Sequence, residues 1–134
     1  SRDFSRIDFL LKPHAGRWES GSLNVAGITA LGGSLELLLG IGLPAISGRI
    51  LELTDYLCER VAAAGLEVFS SRLPAEKSGI VSIAVPGEEP RSLVRRLRAA
   101  GVVVNHRAGR MRVSAHCYNS FAEIDRLVEL LRLR

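Results

Sequence analysis

Cysteine, lysine, methionine and aromatic residues are all scarce in this 134-residue chain. The two cysteines, Cys58 and Cys117, stand far apart and outside any metal-ligand spacing. That excludes a disulfide framework and a cysteine-based metal site. Long apolar runs are missing too: Leu37-Leu38-Leu39 is broken by Gly and Glu well before membrane-spanning length. No apolar segment follows Ser1-Arg2-Asp3-Phe4 in the manner of a secretory leader. These absences imply a cytoplasmic protein with no membrane partner. The single methionine is Met111, so the chain opens without an initiator, which by itself decides nothing.

What is present is the composition of a soluble globular domain, 47% hydrophobic and 24% charged. At 14.5 kDa there is room for one domain with a real core. The net charge is +4 and comes mostly from arginine, since Lys12 and Lys77 are the only lysines. A basic domain can bind nucleic acid through phosphate contacts. Here the arginines interleave with Glu and Asp, and only Arg91–Arg98 is locally dense. The pattern argues against nucleic acid as a partner.

Residues 1–24 read as an irregular lead punctuated by Pro13, Gly16 and Gly21, with Ile7, Phe9, Leu10 and Leu11 as one short strand or turn. From Val25, Ile28, Leu31, Leu35, Leu38 and Leu39 follow helical spacing. Gly32 and Gly33 weaken that helix or permit close packing against a neighbour. After Gly40–Gly42 a second helix opens at Pro44, carries Ile46, Ile50, Leu53, Leu57, Val61 and Ala64 inward, and stops at Gly65. Strands are expected at Leu66–Phe69 and Ile80–Val85, then a helix from Pro90 to Ala100. Val102–Val104 reads as a strand parallel to Ile80–Val85 in a βαβ crossover, and Met111–Ser114 as a further strand. Ser120-Phe121-Ala122-Glu123 matches a capping box that opens a last helix with Phe121, Ile124, Leu127, Val128 and Leu131 inward. The expected fold class is α+β, a small sheet with helices packed mainly on one face.

Three stretches carry a resemblance. Arg17-Trp18-Glu19-Ser20-Gly21-Ser22-Leu23-Asn24 sets a charged pair, an aromatic, a Gly-Ser step and an Asn before the apolar helix. Lys77-Ser78-Gly79-Ile80-Val81-Ser82 enters a strand, and Gly109–Asn119 surrounds Arg112-Val113-Ser114 ahead of Glu123-Ile124-Asp125-Arg126-Leu127. In this order and spacing they resemble the C-terminal small domain of the class V aminotransferase family. These are fold-type I pyridoxal-phosphate (PLP) enzymes, among them cysteine desulfurases, selenocysteine lyase-like proteins, kynureninases and isopenicillin N epimerase-like proteins. The likeness implies that residues 1–24 end a large domain or interdomain region, and that residues 25–134 are the small C-terminal domain.

The resemblance further implies a homodimer with PLP as cofactor and an amino acid as substrate. Gly21 and Ser22 match the Gly-Thr step that reaches the cofactor phosphate in the partner subunit's site; serine keeps the hydroxyl donor. Arg112 matches the arginine that pairs with the substrate α-carboxylate, a task suited to its planar fork. Read without the flanking match, Ser20-Gly21-Ser22 is a turn before a helix and Arg112 a solvent-facing strand residue. Arg107 and Arg110 are neighbours of Arg112 without an assigned role, His106 and His116 are loop residues, and Cys117 is packing. Family members carry the cofactor on a lysine after Ser/Thr-His. Neither Leu11-Lys12-Pro13-His14 nor Glu76-Lys77-Ser78 matches, so the resemblance implies that this lysine lies in a missing N-terminal large domain. The chain alone is then inactive and holds no catalytic residue. Desulfurases carry a reactive cysteine on the loop before the Arg112 strand. Asn105-His106-Arg107-Ala108-Gly109 has none, which favours isopenicillin N epimerase-like or aminotransferase-like members. The alternative is a free-standing basic α+β module that binds nucleic acid through Arg91–Arg98 or serves in dimerisation.

Overall fold

The computed structural model describes residues 11–19 and 21–133. It forms two compact units, one ending at Leu37 and the other beginning at Leu38. In the first, a 3-10 turn at Ala15–Trp18 is opened by His14, whose ring nitrogen accepts the Gly16 N–H at 3.1 Å. Helix α1, Val25–Ile41, starts where Asn24 Oδ1 accepts the Gly27 N–H and the Asn24 carbonyl accepts the Ile28 N–H, both at 3.0 Å. No residue of α1 is buried, and nothing lies within 4 Å of a Cβ built on Gly32 or Gly33. The close packing expected of these glycines therefore has no neighbour among the described residues. The strand or turn expected at Ile7, Phe9 and Leu10 lies outside them.

The second unit runs α2 (Leu43–Ala63), β1 (Glu67–Val68), β2 (Ile80–Ala84), α3 (Pro90–Ala99), β3 (Asn105–Arg107), β4 (Arg110–Ser114) and α4 (Phe121–Arg132). The sheet order is β1-β2-β4-β3, with every neighbouring pair antiparallel. This is the expected α+β fold, with one correction to its topology. Val102–Val104 is not a strand. Residues 100–102 instead close α3: Gly101 adopts φ +82°, its N–H donates to Arg98 O, and Val102 N–H donates to Leu97 O. The strand begins at Asn105, on the sheet edge, and β4 lies between it and β2. The two strands joined through α3 thus run parallel but are not neighbours. A β-branched run signals a strand only when its backbone groups are free to pair, and here the helix cap takes them.

Alternation sorts the sheet residues. Val81 and Ile83 of β2 and Met111 and Val113 of β4 are buried. They share one core with Leu53, Leu57 and Val61 of α2, Leu93 and Leu97 of α3, and Ile124, Leu127, Val128 and Leu131 of α4. The residues between them face the other way. Each fully buried aliphatic side chain is worth about 1.5–3 kcal/mol of transfer energy, so the helix-clad side organises the unit. Gly79 belongs to this packing: a Cβ there would meet Ile50 Cγ2 at 2.6 Å. Only glycine lets β2 enter so close to α2.

Charged side chains fasten the periphery. Asp125 accepts from Tyr56 and Arg60, tying α4 to α2. Arg96 meets Glu88 through two bonds and donates to Leu130 O at 2.8 Å. Ser120 and Glu123 form the expected capping box. Asp55 receives Arg72 at 2.5 Å and Lys77 at 2.7 Å, fixing residues 70–79 on α2.

Hydrogen bonds from Lys77 and then Arg72 hold the Asp55 carboxyl below its ordinary value of 3.8. Such a carboxylate lends stability that is present above its unfolded-state pKa and lost as pH falls through the folded value. Urea midpoints should therefore drop below about pH 4, and Asp55→Asn should flatten this acid limb while lowering the midpoint near neutrality. An acid limb of unchanged slope in the variant means that the cluster contributes nothing.

Candidate functional site

The unclad face of the sheet is where unspent polar groups collect. Antiparallel register places Asn105, Arg112 and Ser82 in one row across β3, β4 and β2. Beyond Ser82 the row reaches Phe69, whose N–H donates to Ser82 O at 2.9 Å. The next row holds Arg107 opposite Arg110, then Ala84 and Glu67 across β2 and β1. Ser82 and Ala84 place only small side chains on this face of β2. Arg110 lies across it, with its guanidinium carbon 3.5 Å from the Phe69 ring centroid.

Hairpin β3–β4 presents these arginines because its turn is as short as a hairpin allows. Ala108 at φ 49° and Gly109 at φ 74° are the only two residues between paired Arg107 and Arg110. Two successive left-handed residues match the strand twist in a two-residue turn. The segment 105–109, expected as a loop, is thus mostly strand.

Arg112 is half-buried, and its Nε is shielded from solvent with no hydrogen-bond partner. Among the described residues no carboxylate pairs with Arg107, Arg110 or Arg112. Arg72 Nε is likewise buried and unbonded, but its terminal nitrogens are already spent on Asp55, Thr54 and Ser78 O. Arg112 differs because, among the described residues, its guanidinium makes no hydrogen bond or ion pair. A partly desolvated, unpaired guanidinium is a receptor for a carboxylate, which it can grip through two parallel bonds.

The other predicted site residues lie in the first unit. Gly21 adopts φ +109°, with nothing within 4 Å of a Cβ built on it, and Ser22 is exposed. The Ser22 hydroxyl makes no hydrogen bond among the described residues, and Ser20 lies outside them. A glycine N–H and a serine hydroxyl are donors of the kind that suit a phosphate. Of the two lysines, Lys77 Nζ is bonded to Asp55 and Lys12 Nζ to Gly16 O.

Other features carry no such vacancy. Among the described residues no group of His, Cys, Asp and Glu is placed to hold a metal. Cys117 is half-buried with its sulfur 3.3 Å from His116 Nδ1, and that ring stacks on Tyr118. Burial raises the Cys58 thiol pKa, which makes it less reactive. A hollow of about 510 Å³ lies between α4 and residues 101–104, away from Arg112. Its charged residues are already engaged, Glu123 in the capping box and Arg126 on Ala100 O.

Residues 5–127 match the family model described as Aminotransferase class-V. The chain belongs to the class V aminotransferase family. It is 27% identical to a probable cysteine desulfurase of Methanothermobacter thermautotrophicus, over 96% of this chain and 36% of that protein. It is 28% identical to a kynureninase of Myxococcus xanthus, over 92% of this chain and 30% of that one. The chain thus spans about a third of the length of these curated relatives. Among solved structures, the apo cysteine desulfurase of Thermococcus onnurineus shares the fold with TM-score 0.79 and 23% identity, covering 89% of this chain and 33% of that one. An alanine–glyoxylate aminotransferase of a Nostoc species does so with TM-score 0.69 and 21% identity, covering 90% and 34%. The small α+β unit is therefore that of this class V family.

If Arg112 is free of structural duty, Arg112→Gln should shift the unfolding free energy by about 0.5 kcal/mol or less, the range for unengaged surface positions. Arg96→Gln should cost about 1–2 kcal/mol, the low end for lost bonds to a charged group. Urea denaturation of the two variants measures both. Equal losses would make Arg112 a structural residue.

Proposed function

We propose that this chain is the C-terminal small domain of a PLP-dependent class V enzyme acting on an amino acid, with Arg112 as receptor for the substrate α-carboxylate. The uncommitted guanidinium of Arg112, with its Nε shielded and unbonded, is the observation that carries the reading. Two parallel bonds to a carboxylate would satisfy it and fix the substrate's orientation, which selects the Cα bond to be broken. When bound, PLP supplies the electron sink for that cleavage. Gly21 and Ser22 contribute donors to its phosphate in the partner subunit's site of a homodimer.

The carrier lysine belongs to an N-terminal large domain of the full enzyme, because both lysines here have structural partners. The chain alone turns over no substrate. Helix α1 supports a covering partner of this kind: Val25, Ile28, Leu31, Leu35, Leu37, Leu39 and Ile41 are all exposed. Apolar surface on this scale marks an interaction face. Within the family, the two-residue β3–β4 turn, without cysteine, supports an aminotransferase-like or isopenicillin N epimerase-like member over a desulfurase that works through a cysteine loop. The nucleic-acid reading is weakened by Arg96 of α3, whose guanidinium is committed to Glu88 and Leu130 O.

In the assembled enzyme, Arg112→Ala should raise KM for the amino acid about tenfold to a hundredfold, the cost of lost bonds to a charged group, with the cofactor absorbance unchanged. An unchanged KM removes Arg112 from the site. Ser22→Ala should modestly increase cofactor loss on dialysis, because other phosphate donors remain. Retention equal to that of the unaltered enzyme would leave Gly21-Ser22 as a turn only.

A further inference from the structure

We propose that Arg110, parked on Phe69 beside Arg112, receives a second anionic group on the substrate's side chain, so that the site takes acidic, dicarboxylic amino acids. This rests on the reading of Arg112 as the α-carboxylate receptor and adds the substrate class. Arg110 and Arg112 are two residues apart on one strand and face the same way, with backbones about 7 Å apart. The Phe69 ring lies in the Arg112 row, on the far side of Ser82. Stacking there carries the Arg110 guanidinium to the β1 side of Ser82, while Arg112 stands on its β4 side. The face of the guanidinium is occupied by the ring, while its edge keeps N–H donors beyond the single 3.4 Å bond to Ala108 O. A short dicarboxylate laid over Ser82 would meet one arginine at each end.

Charge balance points the same way. Arg107 and Arg110 stand directly opposite each other, an arrangement that destabilises an antiparallel pair. Arg112 adds a third positive charge on the same face, and among the described residues no carboxylate pairs with any of them. Glu67 of β1 lies on the same face and offsets one of the three charges, so a single carboxylate leaves the face positive and a second one neutralises it. Phe69 serves as a positioning residue, because its ring is what holds the Arg110 guanidinium over β2.

The test uses this chain, isotope-labelled, with arginine Nε–Hε signals followed by NMR at constant ionic strength during titration with glutarate or butyrate. Glutarate should bind about fivefold tighter than butyrate, the upper range for a partly exposed ion pair. Arg110→Gln should bring glutarate down to the butyrate level while butyrate still shifts the Arg112 signal. Arg98→Gln removes the same charge from α3 and should leave the ratio as it is. Equal affinities for the two acids in the unaltered chain overturn the proposal, as does a ratio that falls equally in both variants, which is net charge acting at a distance. If neither acid moves the Arg112 signal, the α-carboxylate reading fails and takes this one with it. If butyrate does move it and glutarate binds no better, only the second site is lost.

Discussion

Within the second unit, the packing of α2, α3 and α4 on one side of the sheet is the constraint from which the other features follow. Val81, Ile83, Met111 and Val113 enter a single core with the inward stripes of α2, α3 and α4. Because strand side chains alternate, that burial forces Ser82, Ala84, Arg110 and Arg112 onto the opposite face. A one-residue slip in the β2–β4 register would exchange the two sets and put guanidinium groups into the core. The hydrophobic pairing that stabilises the unit is thus also what presents Arg112.

Commitment separates the arginines into two groups. Arg60, Arg72 and Arg96 each meet a carboxylate and bind one element to another. Arg107, Arg110 and Arg112 sit on the unclad face without such partners among the described residues. Composition counts both groups alike, whereas their surroundings divide structural cations from those available to a ligand. The same division applies to the lysines, since Lys77 is held by Asp55.

Much of this was legible along the chain because the determinants were local. The capping box at Ser120–Glu123, the stripe Leu53–Leu57–Val61 and the stops at Gly65 and Gly101 depend on residues within a turn or two. Val102–Val104 misled because its β-branched run lies in and just after the cap of α3, where the Val102 N–H is already taken. Asn105-His106-Arg107 looked like a loop because its polar residues sit on an edge strand, where one side of the ladder faces solvent. Arg112 was recognisable from its flanking motif. Its stacked neighbour was not, because Phe69 and Arg110 are far apart in sequence and meet only through strand register.

The sequence by itself determined the helices, their caps and the family. These depend on short-range periodicity and on motifs whose spacing survives in one dimension. Only the tertiary structure decided that β4 lies between β2 and β3 and that Arg110 reaches over β2 to Phe69. Those relations are set by which strand edges pair and which face the helices cover. Both are properties of non-local packing, and no local pattern encodes them.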